Sequence, residues 1–257
     1  MRIATFNANS IRTRIDIVLD WIADHQPDVL AIQETKVVDE LFPKAAFEAA
    51  GYHVTFKGQK AYNGVAIASR HPPTAIGVGL DDGGPADESR LLYARIDGVH
   101  VVNTYVPQGR EIDHEMYGYK LAWFARLRQY FDRHFTPRQK VVWLGDLNVG
   151  RHPIDLHNPE RQGRHVCYHE DCRAAFEATL DWGFCDVFRQ HHPEPGHYSW
   201  FDYRTRDVVE RNMGWRIDYI LATPPMARRS TDAYIDIAPR KRERPSDHTF
   251  VVADFDL

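Results

Sequence analysis

Twice along this chain a strand-like run is followed by a helical stripe and then a second apolar run, and that repeat narrows the fold more than any other feature. Arg2 to Asn7 reads as a strand, Ile15, Val18, Leu19 and Ile22 recur at helical spacing, and Val29-Leu30-Ala31-Ile32 closes the first unit before Gln33-Glu34. In the second half Phe124, Leu127, Phe131 and Phe135 share one helical face, Pro137 ends that helix, and Val141-Val142-Trp143-Leu144 follows. Between the two units lie Gly64 to Ile67, Leu91 to Ile96 and Val99 to Tyr105, separated by turn sequences such as Asp81-Asp82-Gly83-Gly84 and Asp97-Gly98, the pattern of an antiparallel meander. After an irregular polar stretch from Arg151 to Tyr168, a helix is predicted over Asp171 to Trp182 and the last strands over Ile217 to Leu221 and Phe250 to Phe255. Helices flanking mixed strands in both halves fit an α/β four-layer sandwich, two mixed β-sheets packed face to face with helices on both outer faces. A doubly wound parallel sheet fits less well, because Asn7-Ala8-Asn9-Ser10 stands where a glycine-rich dinucleotide loop belongs. At 257 residues, 43% hydrophobic, the chain can bury a full core, and no low-complexity linker divides it, so one domain over residues 1–257 is expected.

The formal net charge is −4, so a polyanionic partner cannot be inferred from global charge. Positive charge does concentrate at Arg240, Lys241, Arg242 and Arg244, which as a run is either a solvated surface segment or a contact for an anionic ligand. The three cysteines, Cys167, Cys172 and Cys185, are too few and odd in number for a disulfide framework and suggest a reducing compartment. No charged leader with an apolar segment precedes the first strand, and no window has the uninterrupted apolar length of a membrane span. A cytoplasmic protein without membrane contact is expected.

Polar residues cluster at strand ends. Asn7 follows the first strand, Glu34 the second, Asp146 and Asn148 follow Trp143-Leu144, Asp218 interrupts a strand-like segment, and Asp247-His248 precede the last strand. Any one of these is more often a turn residue or a helix cap than a ligand. As a set they point elsewhere, because strand ends of packed sheets can converge on one rim and hold groups rigidly. Hard oxygen ligands suit Mg²⁺, with Mn²⁺ able to substitute, better than zinc. Carboxylates, amides and one histidine would supply a metal site, a base for water and a donor for developing charge, the requirements of phosphodiester hydrolysis. A rival zinc set, His165, Cys167, His169 and Cys172, is unusually compact, and an ordered loop running into the next helix is the better reading.

Seven motifs, in order along nearly the whole chain, resemble those of exonuclease III family apurinic/apyrimidinic endonucleases: Phe6-Asn7-Ala8-Asn9-Ser10, Gln33-Glu34-Thr35-Lys36, Tyr105-Val106-Pro107-Gln108-Gly109, Gly145-Asp146-Leu147-Asn148, Ser199-Trp200-Phe201-Asp202-Tyr203-Arg204, Arg216-Ile217-Asp218-Tyr219 and Ser246-Asp247-His248. The Gly-Asp-x-Asn and Ser-Asp-His motifs are shared with a wider superfamily that includes deoxyribonuclease I, inositol polyphosphate phosphatases and sphingomyelinases. The Gln-Glu-Thr-Lys and Trp-Phe-Asp-Tyr-Arg motifs point to the DNA-repair branch.

The resemblance implies a catalytic metal held by Glu34 and Asp247 with Asn7 and Asn9 around it. It implies Asp146 orienting the attacking water, Asn148 positioning water and phosphate, His248 donating to a phosphate oxygen with Asp218 behind it, and Tyr105 at the phosphate or leaving oxygen. Trp200, Trp215 and Ile217 would line an apolar pocket for a flipped abasic sugar, with Gln108 and Arg204 as further substrate contacts; without the resemblance, Trp200, Trp215 and Ile217 read as core. The implied protein is a monomeric base excision repair nuclease acting on double-stranded DNA at abasic sites and 3′ ends. Two alternatives stand beside it: a phosphoinositide or lipid phosphodiesterase of the superfamily, and a non-catalytic RNA- or protein-binding regulator on the same fold.

Overall fold

The computed structural model describes all 257 residues. Its first parallel unit is β1 (Arg2–Asn7), α1 (Ile11–His25) and β2 (Val29–Gln33), and its second is β7 (Val99–Tyr105), α3 (Glu115–His134) and β8 (Val141–Asp146). Between them lie α2 (Lys44–Ala49), β3 (His53–Lys57), β4 (Val65–Ser69), β5 (Ala75–Val78) and β6 (Leu91–Ile96). After them come α4 (Glu170–Leu180), β9 (Cys185–Asp186), α5 (Val187–His191), β10 (Asp218–Ala222), α6 (Pro224–Ala227), β11 (Ser230–Asp236) and β12 (Phe250–Phe255). Two six-stranded sheets result, in the orders β11-β12-β1-β2-β4-β3 and β5-β6-β7-β8-β10-β9. Each contains one parallel pair, β1 with β2 and β7 with β8, joined by the crossover helix that parallel pairing requires. The remaining pairs are antiparallel, so the sheets are mixed, as expected. Asp97 and Gly98, both at positive φ, make the tight turn between β6 and β7.

Four layers follow from which way the side chains point. Within β2, Val29 and Ala31 face the opposite sheet, meeting Leu92, Val101 and Leu144, whereas Leu30 and Ile32 face outward against Val18, Trp21 and Ile22 of α1. On the other side Trp123, Phe124, Leu127 and Phe131 of α3 and Phe176 of α4 cover Trp143 of β8. The central strands are buried on both faces, which is why they read as continuous apolar runs. Two boundaries differ from expectation. Helix α3 stops at His134 and Phe135 is extended, packing in the same cluster from beyond the helix. The following helix ends at Leu180 and leaves Trp182 in a turn. No helix is long and apolar enough to cross a membrane.

Candidate active site

Register places the polar strand ends together. The parallel strands β1, β2, β7 and β8 all finish at one edge of the sandwich, and their antiparallel partners β12 and β10 begin there. Tyr105 lies opposite Asp146 and Asp146 opposite Asp218, while Asn7 lies opposite Gln33. Asn7 joins the two sheets: its Nδ2 donates to Glu34 Oε1 at 2.8 Å and to Asp146 Oδ2 at 2.8 Å. Its own Oδ1 accepts from the Asn9 backbone at 2.9 Å, and Asn9 Nδ2 donates to Asp247 Oδ1 at 2.9 Å. With Asn9 Oδ1 taken by Lys36 Nζ at 2.5 Å, both amides orient carboxylates in this arrangement. Asn9, Glu34, Lys36 and Asn148 hold positive φ without being glycine, a conformation that surrounding contacts must enforce and that concentrates at functional sites.

A buried array of carboxylates surrounds one histidine. His248 Nδ1 is 2.9 Å from Asp218 Oδ2, and His248 Nε2 is 3.7 Å from Asp146 Oδ2. Ser199 Oγ donates to Asp218 Oδ2 at 2.6 Å and accepts from the Asp218 and Ile217 amides, which fixes the carboxylate behind the ring. Burial by itself would lower the His248 pKa, but Asp218 and Asp146 outweigh it and raise it to about 10, so the ring is an imidazolium at neutral pH. Asp146 is pushed up to about 7, chiefly by burial; His248 opposes this, and Asp218 and Glu34 add to it. Tyr105 is held well above its ordinary value by burial and then by Glu34 and Asp146, so its phenol keeps its proton. Asn148 donates its backbone N–H to Asp146 Oδ1 at 3.0 Å.

These groups open onto a cavity of about 260 Å³ lined by Glu34, Tyr105, Gln108, Asp146, Asn148, Trp200, Arg204, Trp215, Ile217, Asp247 and His248, together with His165 and Cys167. Asn7, Asn9 and Asp218 stand behind that wall. Trp200 and Trp215 exchange backbone hydrogen bonds of 2.9 Å, and Phe201 N donates to Asp247 O at 2.8 Å, so one short ribbon sets both indoles beside the carboxylates. The indoles meet edge to face at 6.2 Å, and Trp200 Nε1 donates to Asp247 Oδ2 at 3.0 Å. Trp215 and Ile217 belong to the core cluster and also wall the pocket, so both readings of them describe one face each. Arg204 is at the mouth, its guanidinium paired with Asp202 at 2.7 Å. Glu34, Asp146 and His248 place potential ligand atoms within 4.8 Å of one another. Asp247 lies outside that group, its oxygens engaged by Asn9 and Trp200. Glu34, Asp146 and Asp247 line one pocket as a hard-oxygen donor set that fits a divalent cation, and the Lys36 ammonium stands 2.7 Å from Glu34.

The profile described as Endonuclease/Exonuclease/phosphatase family matches residues 4–248. The chain belongs to that family. Within it, the chain is 32% identical over 267 residues to "Exodeoxyribonuclease III" of Haemophilus influenzae, covering 99% of this chain and all of that one. Among solved structures it is similar to an AP endonuclease from Archaeoglobus fulgidus, 51% identical with a TM-score of 0.98 over the full length of both chains. It is also similar to a 3′ phosphatase from Neisseria bound to product DNA hairpin, 39% identical with a TM-score of 0.95 and full coverage of both. The family and its exonuclease III branch are therefore those that the motifs resemble.

Relative to the family motifs, the structure adds residues that sequence reasoning left without a role. Ser199 and Lys36 sit inside motifs already singled out, one behind Asp218 and the other on Glu34. Lys120 had a subtler signal, a lysine on the same helical stripe as Phe124 and Leu127. It is fully buried, and its Nζ donates to Asn148 O at 2.7 Å, Val166 O at 2.9 Å and Gln108 O at 3.2 Å. His165 and Cys167 line the pocket, while His169 caps α4 and Cys172 is buried within it, an ordered loop leading into a helix. Burial, with Lys120 adding to it, lowers His165 to about 4, which keeps its imidazole neutral against Trp215. The basic run is only partly solvated: Arg240 is buried over the rings of Phe201 and Tyr203 and donates to Ser246 O.

Proposed function

We propose that this chain is a DNA-repair nuclease that hydrolyses the phosphodiester 5′ to an abasic site, leaves a 3′-hydroxyl, and trims blocked or ordinary 3′ ends of duplex DNA. The observation that carries this reading is the Asp146, His248 and Asp218 array set at the wall of a small pocket faced by Trp200, Trp215 and Ile217. Asp146 and the Asn148 that is tied to it orient the attacking water, and the raised Asp146 carboxyl accepts its proton. His248, held as imidazolium, donates from Nε2 to a phosphoryl oxygen, and Asp218 with Ser199 fixes the ring. The protonated phenol of Tyr105 donates to the phosphate or the leaving oxygen. Glu34 and Asp247, with Asn7 and Asn9 around them, would hold Mg²⁺, for which Mn²⁺ can substitute; when bound, the ion supplies charge neutralisation at the phosphoryl group. An abasic nucleotide has lost its stacking and is the cheapest to extrude, so an apolar pocket of this size favours its bare sugar over an intact nucleotide. The catalytic unit spans residues 1–257 and acts as a cytoplasmic monomer.

The name carried by the Haemophilus relative and the titles of the Archaeoglobus and Neisseria structures support nuclease or 3′-end chemistry on DNA over a lipid substrate. A binding-only regulator is disfavoured because the whole acid, amide and histidine set is present. The deciding experiment compares an end-labelled duplex carrying one abasic analogue with the same duplex intact, in Mg²⁺ and in EDTA. Metal-dependent incision at the lesion with a 3′-hydroxyl product supports the reading. Stepwise shortening of both duplexes makes the protein chiefly an exonuclease, and cleavage of neither returns the lipid and binding-only alternatives. Trp215→Ala should slow abasic-site incision more than digestion of intact 3′ ends; equal slowing would remove the pocket from its role.

A further inference from the structure

At one lateral edge of the sandwich, α5 and the loop after it connect the β9 edge of one sheet with the β11 edge of the other. There the sequence His191-His192-Pro193-Glu194-Pro195-Gly196-His197 gathers His192, Glu194 and His197, whose ligand atoms lie within 4.8 Å of one another. Glu194 Oε1 is 3.2 Å from His192 Nδ1 and 2.8 Å from His197 Nε2. A tetrahedral ion with bonds of about 2.0–2.1 Å needs neighbouring ligands about 3.3 Å apart, so the 3.2 Å edge already has that length and the 2.8 Å edge must open by roughly half an ångström. We propose that His192, Glu194 and His197 bind a first-row divalent transition-metal ion, with Zn²⁺ as the representative, at a site separate from the catalytic pocket.

The tautomer of His192 points the same way. Its Nε2 is 2.7 Å from Ala233 O, and a carbonyl only accepts, so Nε2 carries the hydrogen. In the neutral ring Nδ1 therefore presents a lone pair to the Glu194 carboxylate at 3.2 Å, a contact made favourable either by a proton on Nδ1 or by a metal cation bound to both groups. An imidazole that donates its far N–H to a backbone carbonyl while its other nitrogen is free is the usual outer support of a metal ligand. The donors are preorganised: His192 stacks on Phe188 at 4.8 Å, His197 meets that ring edge to face at 5.4 Å, and Arg189 Nη1 holds the His192 and Glu194 carbonyls at 2.9 and 2.7 Å. The residues are 29, 53 and 33% exposed, which leaves a fourth position to water, and imidazole donors select zinc-class ions over the Mg²⁺ that suits carboxylates alone. Bound there, the ion would pin the loop to α5 and, through His192, to β11.

The test is Co²⁺ and Zn²⁺ titration of the full chain in excess Mg²⁺, followed by calorimetry and Co²⁺ visible absorption, on wild type, His192→Ala, His197→Ala and Glu194→Gln. None of these residues belongs to the catalytic pocket, and folding is checked by circular dichroism. Wild type should take up one more equivalent than each histidine variant, Glu194→Gln should bind that equivalent at least tenfold more weakly, and Zn²⁺ should raise the Tm of wild type more than that of any variant. Equal stoichiometry in all four proteins overturns the proposal. Should a variant misfold, NMR of the wild-type histidine rings decides: Co²⁺ broadening at His192 and His197 supports the site, and broadening confined to rings of the catalytic pocket overturns it.

Discussion

At the scale of single residues, two buried cations do different work. The His248 imidazolium is confronted by Asp218 and Asp146 and has its Nε2 side toward the pocket, the placement of a donor to developing charge. His248→Ala should lower turnover by several orders of magnitude with little change in DNA affinity, because such a group acts mainly on the transition state. Steady-state cleavage and binding titrations on the same duplex check this, and near-normal turnover would take His248 out of the reaction. Lys120 never reaches the cavity. Its ammonium gathers the carbonyls of Gln108, Asn148 and Val166, tying together three loops that wall the pocket. Lys120→Met leaves those carbonyls without their donor and should cost about 2–4 kcal/mol in urea unfolding. By loosening Asn148 it should also reduce kcat more than it raises KM; unchanged kcat would confine Lys120 to a structural role. Lys120 was legible as an oddity on an apolar stripe, but which carbonyls it reaches depends on loops far apart in sequence.

At the scale of elements, the pair β7 and β8 carries Tyr105 and Asp146 side by side at its end. Gly145, one residue earlier, sits at φ +134°, and a Cβ there would lie 2.0 Å from Thr104 O of the neighbouring strand. Both strands are central, so neither can move aside without shifting the other's site residue. Gly145→Ala should destabilise by roughly 3 kcal/mol or more, a Tm loss of roughly 10 °C, and should depress cleavage in the surviving folded fraction. Calorimetry alongside activity per folded molecule checks it; a normal Tm would show that the strands tolerate the added carbon. The strand-and-helix repeat was readable because β2 and β8, the second strand of each parallel pair, are buried on two faces and carry unbroken apolar runs, Val29 to Ile32 and Val141 to Leu144. Elements such as β9, with two residues, and the edge strand β11, with exposed positions, offered no such pattern and were found only in the structure.

For the whole molecule, a buried ionic network ties the pocket segment to β9 and α5. Arg216, beside the pocket-lining Trp215 and Ile217, pairs with Asp155 at 2.8 Å and Asp186 at 2.7 Å, and Arg189 joins Asp155 at 2.5 Å. Burial would raise the Asp155 pKa, but Arg216 and Arg189 outweigh it and hold it below the ordinary carboxylate range. A carboxyl depressed by folding contributes stability that is fully present above its unfolded value, about 4, and is lost as pH falls through the lower folded value. Asp155→Asn should therefore lose roughly 3–5 kcal/mol at neutral pH, and its urea midpoint should fall less steeply than that of wild type under acid. Parallel midpoint curves would refute the linkage. The sequence by itself determined the layered α/β class, the acidic and amide residues at strand ends, and the family those motifs resemble, because strand periodicity and strand-end chemistry are local properties of a chain. Only the tertiary structure decided that Asn7 bridges Glu34 to Asp146, that Ser199 stands behind Asp218, that Arg240 is buried, and that Trp215 faces both core and pocket. Those relations depend on strand register and on which segments the two packed sheets bring to one rim, and neither is encoded by spacing along the chain.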